Sequence, residues 1–181
     1  MKSKLSLIAG AIAATLALPL ALAAEPATAP APDHFIKEAV QGNLAEVKVG
    51  ELAQQKGASE GVKDFGATLA KDHATANDKA KEAAQNLGVS PPSEPSAKQK
   101  TMYHELEALS GQKFDQHFVR DMVKDHKEDI AKYQEEAEGS GPAADYAKAI
   151  LPDLRKHLKT AEQLEKQQRS ASASESSSKM K

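Results

Sequence analysis

The chain contains no cysteine and no tryptophan, and only 4% of its 181 residues are aromatic. Without cysteine there can be no disulfide, no thiolate metal site and no thiol nucleophile. The same absence rules out a lipid-modified cysteine behind an export signal. Few aromatics and few β-branched runs argue against a sheet-rich fold. Gly-rich phosphate loops are missing, and serine gathers in turns and near the C-terminal end rather than in a nucleophile motif. A formal net charge of only −2 makes no electrostatic case for nucleic acid or an anionic lipid surface.

What is abundant is Ala, Leu, Lys, Glu and Gln, the strong helix formers. The first residues read as an export signal. Lys2 and Lys4 form a basic start, Leu5 to Leu18 is apolar, and Ala21-Leu22-Ala23 supplies a small-x-small cleavage pattern. The apolar run is too short, and too soon followed by Pro19, to read as a membrane span. Removing residues 1–23 takes away two lysines and no acid, which moves the charge from −2 to −4. The expected destination is periplasmic or secreted. Residues 24–32 (AEPATAPAP) read as an extended Pro/Ala linker and residues 169–181 as a disordered Ser-rich tail. That leaves residues 33–168 as one domain, long enough to bury a core.

Within it the punctuation is helical. Asp33 is the expected N-cap of a helix reaching about Lys56. Ser59 follows a tight turn at Gly57-Ala58 and caps a second helix that ends at Gly88. After a proline-rich loop at residues 91–95, a helix from about Ser96 to Leu109 is interrupted at Ser110-Gly111. It resumes from Gln112 to Glu138. Gly139-Ser140-Gly141-Pro142 turns the chain into a last helix ending near Gln168, with a kink expected at Pro152. Apolar residues recur every three or four positions, as in Val62, Phe65, Leu69 and Phe118, Met122. Two short hairpins and one longer connection predict a ferritin-like antiparallel four-helix bundle with one interrupted helix.

Four polar residues interrupt these stripes. At about 100° per residue, His73, His126 and His157 fall on the apolar faces of their helices, and Glu46 does so on the first. His34, His104 and His117 fall outward. Glu46 lies about 12 residues before the first turn and His73 about 15 after it. His126 and His157 flank the second turn by about 14 and 17 residues. The four can therefore share a layer. Imidazole and carboxylate suit Zn, Cu, Fe, Mn or Ni, and facing bundle helices supply ligands in this way. Asp72, Asp125 and Asp115 are candidates for further ligands or an outer shell, with Asp129 and Asp153 also near. Buried histidines can equally satisfy one another, Glu46 or the backbone without any metal.

The segment FIKEAVQGNLAEVKVGELAQQKGASEGVKDFGATLAKDHATAN (Phe35 to Asn77), with LSGQKFDQHFVRDMVKDHKEDIAKYQEEA (Leu109 to Ala137) and LPDLRKHL (Leu151 to Leu158), resembles domain-of-unknown-function family 4142. The resemblance implies an exported bacterial protein with a ferritin-like bundle. Its pattern includes the positions Glu46, Asp72-His73, Phe114-Asp115, Asp125-His126 and His157, all kept here. It implies no activity. An outer-membrane label attached to such proteins finds no barrel strand or anchor in the mature part of this chain.

The leading expectation is a periplasmic or secreted bundle that holds or buffers a transition metal through Glu46, His73, His126 and His157, with enzymatic activity left open. Asp115, Asp72 and Asp125 would act in support. Its partners would include no nucleic acid, and no membrane span would remain after the signal is removed. A second reading is a non-enzymatic envelope stress or interaction protein whose core His and Glu form a structural network. A ferritin-like redox enzyme comes third, because Glu-x-x-His, the usual di-iron pattern, is missing.

Overall fold

The computed structural model describes residues 31–179, with side chains to residue 173. The predicted export signal at residues 1–23 and nearly all of the linker lie outside the described residues. Five helices follow one another, and there is no strand among the described residues: α1 (Pro32–Lys56), α2 (Glu60–Asn86), α3 (Ala97–Glu107), α4 (Gly111–Ala137) and α5 (Pro142–Lys179).

Local chemistry sets most boundaries. Pro32 occupies the first position of α1, where its missing N–H costs nothing, so the helix starts two residues earlier than an Asp33 cap would place it. Ser59 caps α2 as expected, its hydroxyl accepting from the Val62 amide. At the other end Gly88 takes φ +68°, and the Val89 amide returns to the Ala84 carbonyl, which closes the helix with a left-handed residue. Ser96 and Gln99 form a reciprocal capping box at the start of α3. The interruption at Ser110-Gly111 is real, with Gly111 at φ +61°. It makes α3 a separate short helix that leans on α1 and α4.

Helix α5 is longer than expected. Pro152 lies inside the helix without ending it. The helix also runs past Gln168 through the Ser-rich segment to Lys179. Extending a formed helix costs little per residue, and Ser170 and Ser172 return their hydroxyls to the carbonyls four residues back.

The four long helices form a ferritin-like bundle in which α1 packs on α2, α4 on α5 and α2 on α5. Their buried faces build two separate apolar clusters. One holds Phe35, Ile36, Val40, Tyr133, Tyr146 and Ile150. The other holds Val49, Phe65, Leu69, Phe114, Phe118 and Leu164. Every long helix passes from one cluster to the other, and at each crossing it places a buried polar residue: Glu46, His73, His126 or His157. A polar floor thus divides an apolar core.

Helices α1 and α2 come backbone against backbone just beside that floor, at Gly50 and Gly66. A Cβ at Gly50 would lie 2.5 Å from the Gly66 carbonyl oxygen, and one at Gly66 would lie 2.6 Å from that of Gly50. Only glycine at both positions permits the contact.

At the far end of the core, Phe35 meets Tyr133 edge-on at 4.9 Å between ring centres. The Tyr133 and Tyr146 hydroxyls stand 3.4 Å apart. Burial pushes the Tyr133 phenol well above its ordinary value of 10, with the nearby Tyr146 adding to the effect. Burial raises Tyr146 as well, against the hydrogen bonds from Tyr133 and Asn43. An acid whose folded pKa is raised stays neutral in the fold while the unfolded chain ionises. The stability it contributes is present below pH 10 and is lost as pH climbs from there toward the folded value. Alkaline titration should therefore show the phenolate absorbance of these two tyrosines rising together with loss of helix, and not before it. Smooth ionisation of all three tyrosines in a fully helical protein would contradict their burial.

Candidate metal centre

Three helices supply one imidazole each. His73 from α2, His126 from α4 and His157 from α5 are 5%, 2% and 3% exposed. Their ring centres lie 5.8 Å (His73–His126), 5.3 Å (His73–His157) and 5.4 Å (His126–His157) apart. One ring nitrogen from each falls within 4.8 Å of the other two.

The remaining nitrogens are held by oxygen acceptors. His126 Nδ1 donates to the Met122 carbonyl at 3.0 Å, a group that can only accept. His73 Nδ1 donates to Asn43 Oδ1 at 3.0 Å, while Asn43 Nδ2 donates to the Tyr146 hydroxyl at 2.9 Å. His157 Nε2 donates to Asp72 Oδ2 at 3.0 Å. These bonds select one tautomer for each ring. His73 Nε2, His126 Nε2 and His157 Nδ1 are left as lone-pair acceptors, buried and with no hydrogen-bond partner.

Electrostatics keep two of these rings neutral. Burial, followed by His126 and His157, holds His73 well below its ordinary range. Burial and His157 hold His126 down at about 4, against the opposing bond from Met122. A neutral imidazole with its outer N–H donated to an oxygen is the form in which histidine ligates a metal.

Glu46 belongs to the same floor, 7% exposed, and its Oε2 likewise has no partner. Burial raises its carboxyl well above the carboxylate range, reinforced by Asp125 and Asp129. It is not one of the three groups whose donor atoms converge. Instead it lines a cavity with His73, Asp125 and Asp129. The dipeptide Asp72-His73 splits its duties, with His73 turned into the centre and Asp72 reaching across to His157. Asp125 is half-buried on the cavity wall beside Glu46.

Asp115 is placed elsewhere. Its two carboxylate oxygens accept from the Ala58 and Ser59 amides at 2.8 and 2.9 Å, tying the start of α4 to the α1–α2 turn. At 1.5 Å per residue it stands roughly 16 Å along α4 from His126. Its inward position in the sequence pattern reflects a helix-end cap. Asp153 pairs with Lys156 on the surface, and His34, His104 and His117 are exposed.

Sequence reasoning missed Asn43 and Asn77, 3% and 5% exposed. Asn43 orients His73, and Asn77 Oδ1 has no partner. A signal was present. Asparagine is a weak helix former that prefers caps and turns, yet here it sits mid-helix at i−3 from Glu46 and i+4 from His73.

No helix among the described residues is long and apolar enough to cross a membrane. A family model described as a domain of unknown function, DUF4142, matches residues 17–164. No curated protein sequence is similar to the chain. A crystal structure from Streptomyces coelicolor, of a protein described as secreted and as DUF305, superposes with a TM-score of 0.61 at 11% identity. The match covers 76% of this chain and 94% of that one. At that identity the likeness concerns the fold alone.

Proposed function

Because this chain belongs to the DUF4142 family, whose description carries no activity, we propose a function from the site itself: an exported bundle that binds one transition-metal ion on His73 Nε2, His126 Nε2 and His157 Nδ1. The observation that carries this reading is that three convergent buried imidazoles each keep one ring nitrogen with no hydrogen-bond partner. A structural polar network would pair its acceptors with donors, since each buried unpaired group costs about 1–3 kcal/mol. A cation satisfies all three at once.

Three imidazole nitrogens and no thiolate suit Zn(II) or Cu(II) best. In a tetrahedral site with bonds of about 2.0–2.1 Å the nitrogens stand about 3.3 Å apart. From separations of 4.8 Å at most, the nitrogens close by no more than about 1.5 Å around an ion, within the reach of side-chain rotation. Asp72, His157 and the ion form a carboxylate–histidine–metal relay, and Met122 and Asn43 do the same work for the other two rings. Three protein ligands leave a fourth position open to water. The role that follows is holding or buffering a metal in the cell envelope.

Titration of the untagged protein with Zn(II) should reach one equivalent per chain. Asp72→Asn, which keeps the shape and removes the charge behind His157, should weaken binding by about 10–100-fold. Sub-stoichiometric metal that is indifferent to this change would overturn the reading.

A further inference from the structure

A cavity of about 240 Å³ opens between α1, α3 and α4, and its inner wall includes His73 and Glu46. Five acidic side chains line it (Glu38, Glu46, Asp125, Glu128 and Asp129) against the two ammonium groups of Lys98 and Lys132. Lys132 is engaged by Glu38 at 3.9 Å, and Glu128 by Lys124. Glu46, Asp125 and Asp129 form no ion pair with lysine or arginine among the described residues. The deepest of them, Glu46, is 93% buried by its 7% exposure and keeps Oε2 without a partner. A buried acceptor at the inner end of an acidic passage, beside one of the three convergent imidazoles, needs a cation more than it needs packing.

We infer that this cavity is the loading port of the imidazole centre, in which Glu46, Asp125 and Asp129 draw in a hydrated divalent cation and pass it to His73. The inference rests on the metal reading above and adds the route. The carboxylates do not belong to the tightly convergent group, which suits an ion that still carries water. At about 30 Å³ per water, the cavity has room for a cation and several waters. Burial favours the protonated form of Glu46, so a cation arriving there displaces that proton to water; each imidazole lone pair then replaces one water of the ion, and no other bond forms or breaks. An acidic, walled passage raises the local cation concentration and accelerates association by 10-fold to 1,000-fold at low salt.

The test is stopped-flow uptake of Co(II) by the full chain, followed by its visible absorption. The variant Glu46→Gln, Asp125→Asn, Asp129→Asn should take up Co(II) at least about tenfold more slowly at low ionic strength. It should lose most of the salt dependence and reach the wild-type spectrum at saturation. Asp129→Asn alone, at a half-buried position, should fold normally and still slow uptake. Glu51→Gln on the exposed face of α1 should not. Uptake by the triple variant within twofold of wild type would overturn the port. An altered saturated spectrum would overturn it too, by making the carboxylates ligands. If uptake depends on His126 but is indifferent to the carboxylates, the port alone falls. If the wild-type chain takes up no Co(II), the metal reading falls and the port with it.

Discussion

Replacing His126 with alanine is expected to weaken Zn(II) binding by about 1,000-fold or more, beyond the 10–100-fold that an outer partner is worth. His126 is 2% exposed, its Nδ1 is committed to the Met122 carbonyl, and its Nε2 has no hydrogen-bond partner in the cluster it shares with His73 and His157. Removing it leaves a two-nitrogen site in an apolar surrounding, where an ion sheds its hydration with too few ligands in return. The effect is also visible in stability. Metal held at a free concentration of 100 times its Kd stabilises the fold by about 2.7 kcal/mol. For a chain of this size that raises the thermal midpoint by roughly 5–10 °C. The wild-type protein should show that rise with Zn(II) and lose it with a chelator. The His126→Ala protein should show neither. A variant that folds and responds to Zn(II) as the wild type does would remove His126 from the site.

The second large effect concerns the backbone. Gly50→Ala should destabilise the fold by about 3 kcal/mol, despite the gain of up to about 1 kcal/mol that alanine normally brings to a helix interior. Its Cβ would lie 2.5 Å from the Gly66 carbonyl oxygen and 2.8 Å from the Ala70 nitrogen. Both obstacles are backbone, so neither can rotate away, and α1 must lift off α2. Gly42 supplies the control in the same helix. A Cβ there meets only Gln99 Nε2, at 3.9 Å, so Gly42→Ala should be neutral or stabilising by about 0.5–1 kcal/mol. The shift in urea midpoint separates the two, and equal shifts would mean that the close approach is not what holds α1 to α2. Gly50 lies one turn from Glu46 and Gly66 two turns from His73. The Asn43–His73 hydrogen bond spans the same helix pair, so Gly50→Ala should also weaken metal binding.

Much of this was legible in the sequence because both helix and bundle are local or periodic. Ser59, Gly88 and Ser96 announce their boundaries through hydrogen-bonding chemistry confined to a few residues. The spacing of His73, His126 and His157 from their turns translates into height by a constant rise per residue, which is why counting along the chain placed them on one floor. Counting could not say which nitrogen each ring would offer. It placed Asp115 on an inner face without showing that its carboxylate caps the α1–α2 turn. It also marked 169–181 as a disordered tail, whereas the backbone remains helical to Lys179. Composition speaks to what a segment can bury, and a helix continued from a packed one needs to bury little.

By itself, then, the sequence determined an all-helical bundle, its hairpin order and the height at which three imidazoles and a carboxylate interrupt the core. Those follow from periodicity and from caps, which depend on neighbours within a turn or two. Tertiary structure decided the chemistry of the site. Tautomers depend on acceptors from other helices or the preceding turn, such as Asn43 on α1, Asp72 on α2 and the Met122 carbonyl. The cavity that brings Glu46, Asp125 and Asp129 together exists only where α1, α3 and α4 fail to close. Such pairings join residues separated by up to 85 positions, and no local pattern encodes the direction in which a lone pair points.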